Sequence, residues 1–376
     1  MQKVRILHLT HTDPRSDNRI LKELEALKAL DNIALYSYGI SSKENNKRSS
    51  FSEIEIRVTN LFSKINWLPR PLRYSLMLFE FYLKILLFSL RIRPSIIHCH
   101  DTLVLPIGYI LKKIFQTKLI YDAHELESNK NGQNKILSTT TLLIEKMLWN
   151  RIDVLISVSQ SILDWYNENL GAINSTLILN SPSHTAFDLR PQKKNYLFRT
   201  FNIPYSDNIF VYIGFLSKGR GIELLIDSFI GLEHKHLVFI GYGPLEIQLK
   251  EYAEEHYNIH FHEALKHEDV TSVLDNVEAG FCLIENVSLS DYYSLPNKLF
   301  EYLFGGIPVI GVSFPEISRI ISNHEAGLIC HPNKDNLQSA ILNFRKAEFK
   351  ISNLDLLSWE KQEKRLQSVY KELLKI

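Results

Sequence analysis

Short apolar segments of strand length alternate with helix-length stretches along this chain, and the alternation runs through twice. The first series is "VRILHL" (4–9), "IALYSY" (33–38), "SIIHCH" (95–100), "KLIYD" (118–122), "DVLISVS" (153–159) and "TLILN" (176–180). The second is "IFVYIG" (209–214), "HLVFIG" (236–241), "NIHFH" (258–262), "AGFCLI" (279–284), "IPVIGV" (307–312) and "AGLICH" (326–331). Runs that are apolar throughout suit strands buried on both faces, and such strands alternating with helices make a parallel sheet covered by helices. Two doubly wound α/β domains are therefore expected. The stretch "SPSHTAFDLRPQKKN" (181–195) has neither period and is the natural linker. At 376 residues, 45% of them hydrophobic, the chain can fill a core in each domain.

Charge and cysteine content narrow the function classes. Lys plus Arg number 43 against 42 for Asp plus Glu, so no global field recruits nucleic acid, and any anion site is local. Cys99, Cys282 and Cys330 lack metal-ligand or redox spacing and fit buried thiols in a reducing compartment. The opening "MQKVRILHLT" leads directly into a strand and is too short in its apolar part for a secretory signal, so a cytoplasmic location is expected. The segment "LRYSLMLFEFYLKILLFSLRIR" (72–93) is apolar apart from a few residues, yet Glu80 and Lys84 at its middle argue against a membrane span. Arg73, Glu80, Lys84 and Arg91 fall on one narrow helical stripe. Two readings stand: a core-facing helix with one wet edge, or a helix lying in a membrane surface, with Arg70, Arg73 and Trp67 at its approach.

In open α/β sheets, ligands bind beyond the carboxyl ends of the strands, where helix N-termini offer free amides. "YIGFLSKGRGIELLIDSF" (212–229) gives a strand, a loop of glycines and bases, and then an amphipathic helix, an arrangement suited to a diphosphate. No Gly-Lys-Ser/Thr closes it, so it is not a Walker A loop. "FIGYGP" (239–244) supplies Gly241 and Gly243 but no third glycine in dinucleotide register. In "SLPNKLFEYLFGGIPVIG" (294–311), Lys298 and Glu301 share the first turns of a helix that Gly305 and Gly306 end. Amides and Lys298 suit phosphate; a carboxylate beside phosphate is useful if it accepts from neighbouring hydroxyls, as a ribose diol supplies. A plain surface salt bridge is the alternative for this stretch taken alone.

In their order along the chain, "HTDPRSDNRILKELEAL" (11–27), "IIHCHDTLVLP" (96–106), "LIYDAHELES" (119–128), "DVLISVSQSI" (153–162), "LILNSP" (177–182), "YIGFLSKGRGIELLI" (212–226), "GYGP" (241–244), "SLPNKLFEYLFGGIPVI" (294–310) and "SWEKQEKRLQSVY" (358–370) resemble a retaining family-4 glycosyltransferase of the GT-B fold, of the bacterial surface-polysaccharide type. The resemblance covers nearly the whole chain. It implies an acceptor-side Rossmann-like domain over 1–185 facing, across a cleft, a nucleotide-sugar-binding Rossmann-like domain over 196–357. A C-terminal helix, 358–376, is implied to cross back onto the first domain.

The same resemblance assigns residues. Glu301 is implied to hold the donor ribose, and Arg220 with Gly221 the diphosphate, with Gly214, Gly243, Asn297 and Lys298 also in the donor site. Backbone near Leu265 is implied to meet the base. His124 is implied to face the reacting sugar, with Thr12, Asp13 and Glu125 on the acceptor side. His124, Arg220 and Lys298 are the implied catalytic groups. The donor is a nucleotide diphosphate sugar, UDP or GDP, used without a metal or other cofactor; no Asp-x-Asp element or cluster at ligand spacing stands in the sequence. A glycan or lipid-linked glycan is the expected acceptor, at the inner face of the cytoplasmic membrane and with peripheral contact through 70–93. Two departures are plain: Tyr293 stands where a second glutamate is usual, and Phe215 where an arginine is usual, so Lys298 is expected to take over from that arginine. The alternatives are a nucleotide-sugar 2-epimerase or phosphorylase of the same architecture, a dinucleotide oxidoreductase, and a non-catalytic glycan-binding or scaffold relative.

Overall fold

The structure is a computed structural model that describes residues 3–41, 49–51, 54–63, 67–183, 193–266 and 269–375. Most of the expected linker, 184–192, lies outside the described residues. The chain divides into two compact units, Met1–Ile178 with Glu363–Ile376, and Leu179–Gln362.

Unit 1 runs β1 (Val4–Leu9), α1 (Asn18–Leu27), β2 (Ile33–Ile40), β3 (Ser49–Phe51), β4 (Ile54–Thr59), α2 (Arg70–Ile92), β5 (Ile96–His100), α3 (Leu105–Phe115), β6 (Lys118–Ala123), α4 (Lys135–Leu148), β7 (Val154–Ser157), α5 (Gln160–Leu170) and β8 (Ser175–Leu177). Its sheet has the order β3-β4-β2-β1-β5-β6-β7-β8, antiparallel between β3 and β4 and parallel elsewhere. Unit 2 runs α6 (Tyr196–Thr200), β9 (Asn208–Phe215), α7 (Ile222–Phe229), β10 (Lys235–Tyr242), α8 (Glu246–Glu255), β11 (Ile259–Glu263), β12 (Val277–Cys282), α9 (Leu289–Tyr292), α10 (Asn297–Phe304), β13 (Val309–Val312), α11 (Pro315–Asn323), β14 (Gly327–Cys330) and α12 (Lys334–Asn343). Its strands are all parallel, in the order β11-β10-β9-β12-β13-β14. The last helix, α13 (Trp359–Leu374), begins in unit 2 and returns the chain to unit 1 from Glu363 onward. This is the expected α/β GT-B architecture of two Rossmann-like domains with a returning C-terminal helix.

Every strand expected from the sequence forms, whereas β3 and β4 were not anticipated. The reading sought continuous apolar runs. β4 instead alternates, with Ile54, Ile56 and Val58 buried and Glu55 and Arg57 half-buried, because only β3 lies beyond it in the sheet. All three cysteines are buried and free.

α2 resolves the two readings of its sequence in part. Phe81, Ile85, Phe88 and Ile92 are buried, and the rings of Tyr36 and Tyr38 pack against Phe88 at 6.2 and 5.1 Å. Leu72, Tyr74, Phe79, Leu83, Leu87 and Leu90 on the remaining surface are exposed. Glu80 and Lys84, read as a wet edge, hold the preceding loop instead: Glu80 accepts from the Phe62 and Ser63 amides at 3.0 and 2.8 Å, and Lys84 donates to Asn60 O at 2.7 Å. Burial opposes ionisation of Glu80, but the bonds from Lys84, Ser63 and the Phe62 amide outweigh it and bring the carboxyl down to about 2.

In unit 2 the pairing of β12 with β9 shifts register between Val277 and Ala279. Tyr302 of α10 repairs the ladder beside it. Its buried hydroxyl accepts from the Ile213 amide at 2.8 Å and lies 3.4 Å from the carbonyls of Val211 and Phe281. The ring rests on Gly280, where a Cβ would meet it at 2.5 Å. Tyr302→Phe leaves the Ile213 amide buried without a partner, so the urea midpoint of unit 2 is expected to fall by the equivalent of about 1–3 kcal/mol. An unchanged midpoint would show that the hydroxyl is not part of the sheet's hydrogen bonding.

Candidate functional site

In each sheet the strand order reverses at one place, between β1 and β5 in unit 1 and between β9 and β12 in unit 2. Connections leave such a point in opposite directions and open a crevice at the carboxyl ends of the strands. Both groups of candidate residues lie at these ends.

In unit 2 the crevice holds a cavity of about 410 Å³ lined by Gly214, Arg220, Leu265, Asn297, Lys298 and Glu301. Six positions assigned from the sequence therefore meet in one place. The loop after β9 is folded tightly on the loop after β10: Leu216 N–H donates to Tyr242 O at 2.8 Å and Leu245 N–H to Leu216 O at 3.1 Å. That approach requires Gly243, with φ 153° and the Leu216 carbonyl 2.4 Å from where its Cβ would stand. Gly221 starts α7 in the left-handed region at φ 73°. Its amide donates to Glu285 Oε1 at 3.3 Å, while the Glu285 amide donates to Gly219 O at 3.0 Å. Glu285 thus shapes the Arg220 loop from the end of β12, a role no spacing in the sequence displays.

Lys298 is the unusual member. It is 8% exposed, its ammonium has no hydrogen-bond partner among the described residues, and it stands 3.8 Å from the centre of the Tyr212 ring. A cation over an aromatic face recovers part of the cost of leaving water, whereas a buried charge with no counter-ion carries a larger penalty. Glu301, half-buried, lies on the same side of α10, which starts at Asn297. Asn297 accepts from Asn180 at 3.2 Å. Phe215 lines the cavity with its ring 5.4 Å from that of Tyr242, so an aromatic pair occupies the place where an arginine is usual. Tyr293 packs beside Tyr292 at 5.4 Å, which in turn packs on Phe314.

In unit 1, His124 follows β6 and is 20% exposed. Its Nε2 lies 3.3 Å from Asp122 Oδ2 and its Nδ1 lies 3.9 Å from Asp101 Oδ1. Burial alone would lower this imidazole, but Asp122 and Asp101 reverse the effect and raise it to about 9. Asp122 is itself fully buried and takes both Arg19 Nε and Nη2 at 3.1 and 3.0 Å. Asp101 has φ 68° and ψ 163°, a backbone conformation costly for any residue with a Cβ, and its carboxylate faces His11 at 3.5 Å and Lys130 at 3.9 Å. Thr12 is exposed and its hydroxyl bonds Thr10 at 2.8 Å. Asp13 is buried, with Arg15 held on it at 2.7 Å, so its carboxylate serves its own loop. Glu125 is exposed.

Behind His124 the fold gathers His8, His98 and His100, all fully buried on neighbouring strands, with Glu23 and Tyr370. His8, Glu23, His98 and His100 are close enough to suggest metal ligation, as are His100, Asp122 and His124. The ring geometry speaks for another use. His98 and His100 are stacked 4.4 Å apart at 13°, and His8 lies over His98 at 4.5 Å and 33°. Imidazole lone pairs lie in the ring plane, so stacked rings present them side by side instead of converging on one ion. The nitrogens face one another and Tyr370 instead.

Residues 23–180 match the family model described as Glycosyltransferase Family 4, and residues 194–354 that described as Glycosyl transferases group 1. Among solved structures, a sucrose-phosphate synthase from Thermosynechococcus elongatus superposes with a TM-score of 0.79 at 17% identity over 99% of each chain. HepE from Anabaena, solved with UDP, gives 0.72 at 14% identity, covering 99% of this chain and 100% of that one. These likenesses show the fold. A chitobiosyldiphosphodolichol beta-mannosyltransferase from Candida albicans is 24% identical over 258 residues, 62% of this chain. The match spans 55% of that relative's length.

The unpartnered ammonium of Lys298 generates a prediction with two opposite signs. Lys298→Met removes a buried charge and is expected to raise the thermal midpoint of the ligand-free protein. The same variant is expected to weaken pyrophosphate binding, read by calorimetry, about tenfold or more. A variant that binds pyrophosphate as the parent does would remove Lys298 from the anion site.

Proposed function

For a chain that is a family-4-like glycosyltransferase of the GT-B fold, we propose transfer of a glycosyl group from a nucleoside diphosphate sugar to a hydroxyl of a lipid-linked glycan, with retention at the anomeric carbon and without a metal, in the assembly of a bacterial surface polysaccharide. The observation that carries it is the unit 2 cavity, where a buried ammonium with no hydrogen-bond partner among the described residues stands with Arg220 and with the Glu301 carboxylate. That combination fits a nucleoside diphosphate part by part. Arg220 and Lys298 take the phosphates, Glu301 accepts from the ribose hydroxyls, and backbone at Leu265 meets the base. UDP and GDP are the nucleotides proposed; the Anabaena protein was solved with UDP and with UDP-glucose.

The chemistry follows from where charge develops. As the bond between the anomeric carbon and the phosphate oxygen breaks, the sugar becomes oxocarbenium-like and the diphosphate gains negative charge. Arg220 and Lys298 then bind the departing group more strongly than they bound the donor, which lowers the barrier. The acceptor hydroxyl attacks on the face the diphosphate leaves and passes its proton to the released phosphate oxygen, so no protein nucleophile is needed. His124, as an imidazolium, is the unit 1 group proposed to donate to a hydroxyl of the transferred sugar. With Tyr293 at the position of the usual second glutamate, contacts to that sugar come from other groups than in the common pattern.

The exposed side of α2 supports a peripheral lipid contact. Phe79, Leu83, Leu87 and Leu90 are exposed there, and Ile110 and Ile114 of α3 are exposed as well. A cavity of about 430 Å³ lined by Arg57 and Arg91 shares Leu87 with this face, which suits an anionic headgroup next to acyl chains. Among the described residues, no helix is long and apolar enough to cross a membrane.

Turnover of UDP- and GDP-sugars with a lipid-linked acceptor tests the reaction: acceptor-dependent nucleotide release, with the donor's anomeric configuration kept in the product by proton NMR, is the expected result. Nucleotide binding with no turnover on any acceptor would instead support a non-catalytic binder. For the surface, co-sedimentation with vesicles containing phosphatidylglycerol is expected to fall severalfold in Leu83→Glu/Arg91→Glu; equal partitioning of parent and variant would sink the lipid contact.

A further inference from the structure

The buried histidines of unit 1 are joined end to end. His124 Nε2 lies 3.1 Å from His100 Nδ1, and His8 Nδ1 lies 3.0 Å from His100 Nε2. His8 Nε2 lies 3.2 Å from the Tyr370 hydroxyl, which lies 2.7 Å from His98 Nδ1. His98 Nε2 then faces Asp122 Oδ2 at 3.6 Å and Glu23 Oε2 at 3.8 Å. Asp122 is the same carboxylate that faces His124, so the path closes on itself. It draws on β1, β5, β6 and, through Tyr370, α13.

Each neutral imidazole has one N–H and one lone pair, and a tyrosine hydroxyl donates one bond while it accepts another. The bonds within the chain run in one of two directions, with His98 Nε2, which has no hydrogen-bond partner among the described residues, at one end and His100 Nδ1, which also faces Asp122 Oδ2 at 3.5 Å, near the other. In one, His124 donates from Nε2 to His100, His100 from Nε2 to His8, His8 from Nε2 to Tyr370, Tyr370 to His98, and the His98 N–H points at the carboxylates. In the other every bond is reversed. The reversed chain turns the His98 lone pair toward Asp122 and Glu23 and sets the His100 N–H against His124 Nε2, which must then be neutral. The first direction is favoured at the His98 end, where the N–H points at Asp122, and at the other end it sets the His124 Nε2–H between the His100 lone pair and Asp122 Oδ2.

We propose that Tyr370, His98, His8 and His100 form a directional hydrogen-bond chain that holds His124 as an imidazolium with its Nε2 proton turned inward, leaving its Nδ1–H to donate outward. Tyr370 is thereby a positioning residue for His124, carried on a helix distant in sequence. Its effect on turnover rests on the sugar-facing role proposed for His124, whereas the chain itself does not. His8, His98 and His100 are all lowered, first by burial, with His98 at about 3, as members of a neutral chain require. The groups facing His124 are Asp122 on β6, Asp101 and His100 at the end of β5, Arg19 and Glu23 on α1, and His11 after β1. Because the folded value of about 9 exceeds the ordinary 6.5, the stabilisation from this imidazolium is full below about pH 6.5 and lost as pH rises through about 9.

The test is nitrogen-15 NMR of the histidine-labelled full chain. His8, His98 and His100 are each expected as the Nε2–H tautomer, and any of them found as Nδ1–H overturns the proposal without recourse to a variant. Tyr370→Phe keeps the ring and removes the hydroxyl, which frees the chain to reverse. The His124 midpoint is then expected to fall by about one pH unit, and an unchanged midpoint also overturns the proposal. In turnover, the variant's kcat is expected to drop severalfold with donor KM unchanged, its alkaline limb moving with the His124 midpoint; a limb that stays put while the midpoint moves overturns the link to catalysis. A parent that binds no nucleoside diphosphate would defeat the proposed function and leave the NMR result standing.

Discussion

The buried carboxylate of Asp122 is the charge around which unit 1 is arranged. Burial opposes its ionisation, yet Arg19 first, and then His124, keep it well below the usual carboxylate range. Arg19 bonds it through two nitrogens and spends a third on the Ile178 carbonyl at 3.0 Å, so α1, β6 and the end of unit 1 are tied at one point. Removing one partner of such a pair strands the other in a low dielectric, typically at a cost of about 3–5 kcal/mol. The histidines around it are then constrained in turn. One of them, at the solvent edge, is drawn into its charged form, and those behind it stay neutral.

Unit 2 meets the same physics with the balance left open. Its sheet reverses at an equivalent place and its loops make an equivalent crevice, but Lys298 is buried against Tyr212 and its ammonium has no hydrogen-bond partner among the described residues. Nothing in folding alone favours that arrangement. An anion entering there would offset that cost. The two crevices therefore differ in their electrostatics: one is compensated internally around a single imidazolium, while the other sets Arg220 and Lys298 beside Glu301.

Much of this was legible in the sequence, and the reasons for the rest are physical. Continuous apolar runs marked the strands buried on both faces, and glycine positions marked where loops approach closely, as Gly243 does with Leu216. Gly214, Arg220, Leu265, Asn297, Lys298 and Glu301 meet because strand–loop–helix order places them at the same sheet edge. β4 escaped because its period of two belongs to a strand near the sheet edge. The Glu80–Lys84 pair looked like a solvated stripe because helical spacing cannot show that a loop 17 to 24 residues earlier would cover it. The histidine chain escaped for a related reason. His8, His98, His100, His124 and Tyr370 span almost the whole chain, and only the strand order of β1, β5 and β6, with the return of α13, makes them neighbours.

Asp101 shows how closely that arrangement is specified. Its backbone sits at φ 68° and ψ 163°, a region in which glycine would be free of strain. Glycine would equally keep the amide bond to Asp122 O at 3.0 Å, since that bond needs no side chain. What glycine would lose is the carboxylate facing His11, His124 and Lys130. The strain is therefore the cost of holding a negative charge on the outer side of His124, opposite Asp122 on the inner side. Two carboxylates, one placed by a buried arginine and one by an unfavourable backbone, bracket a single imidazole, and its charge at neutral pH follows from that placement more than from its own exposure.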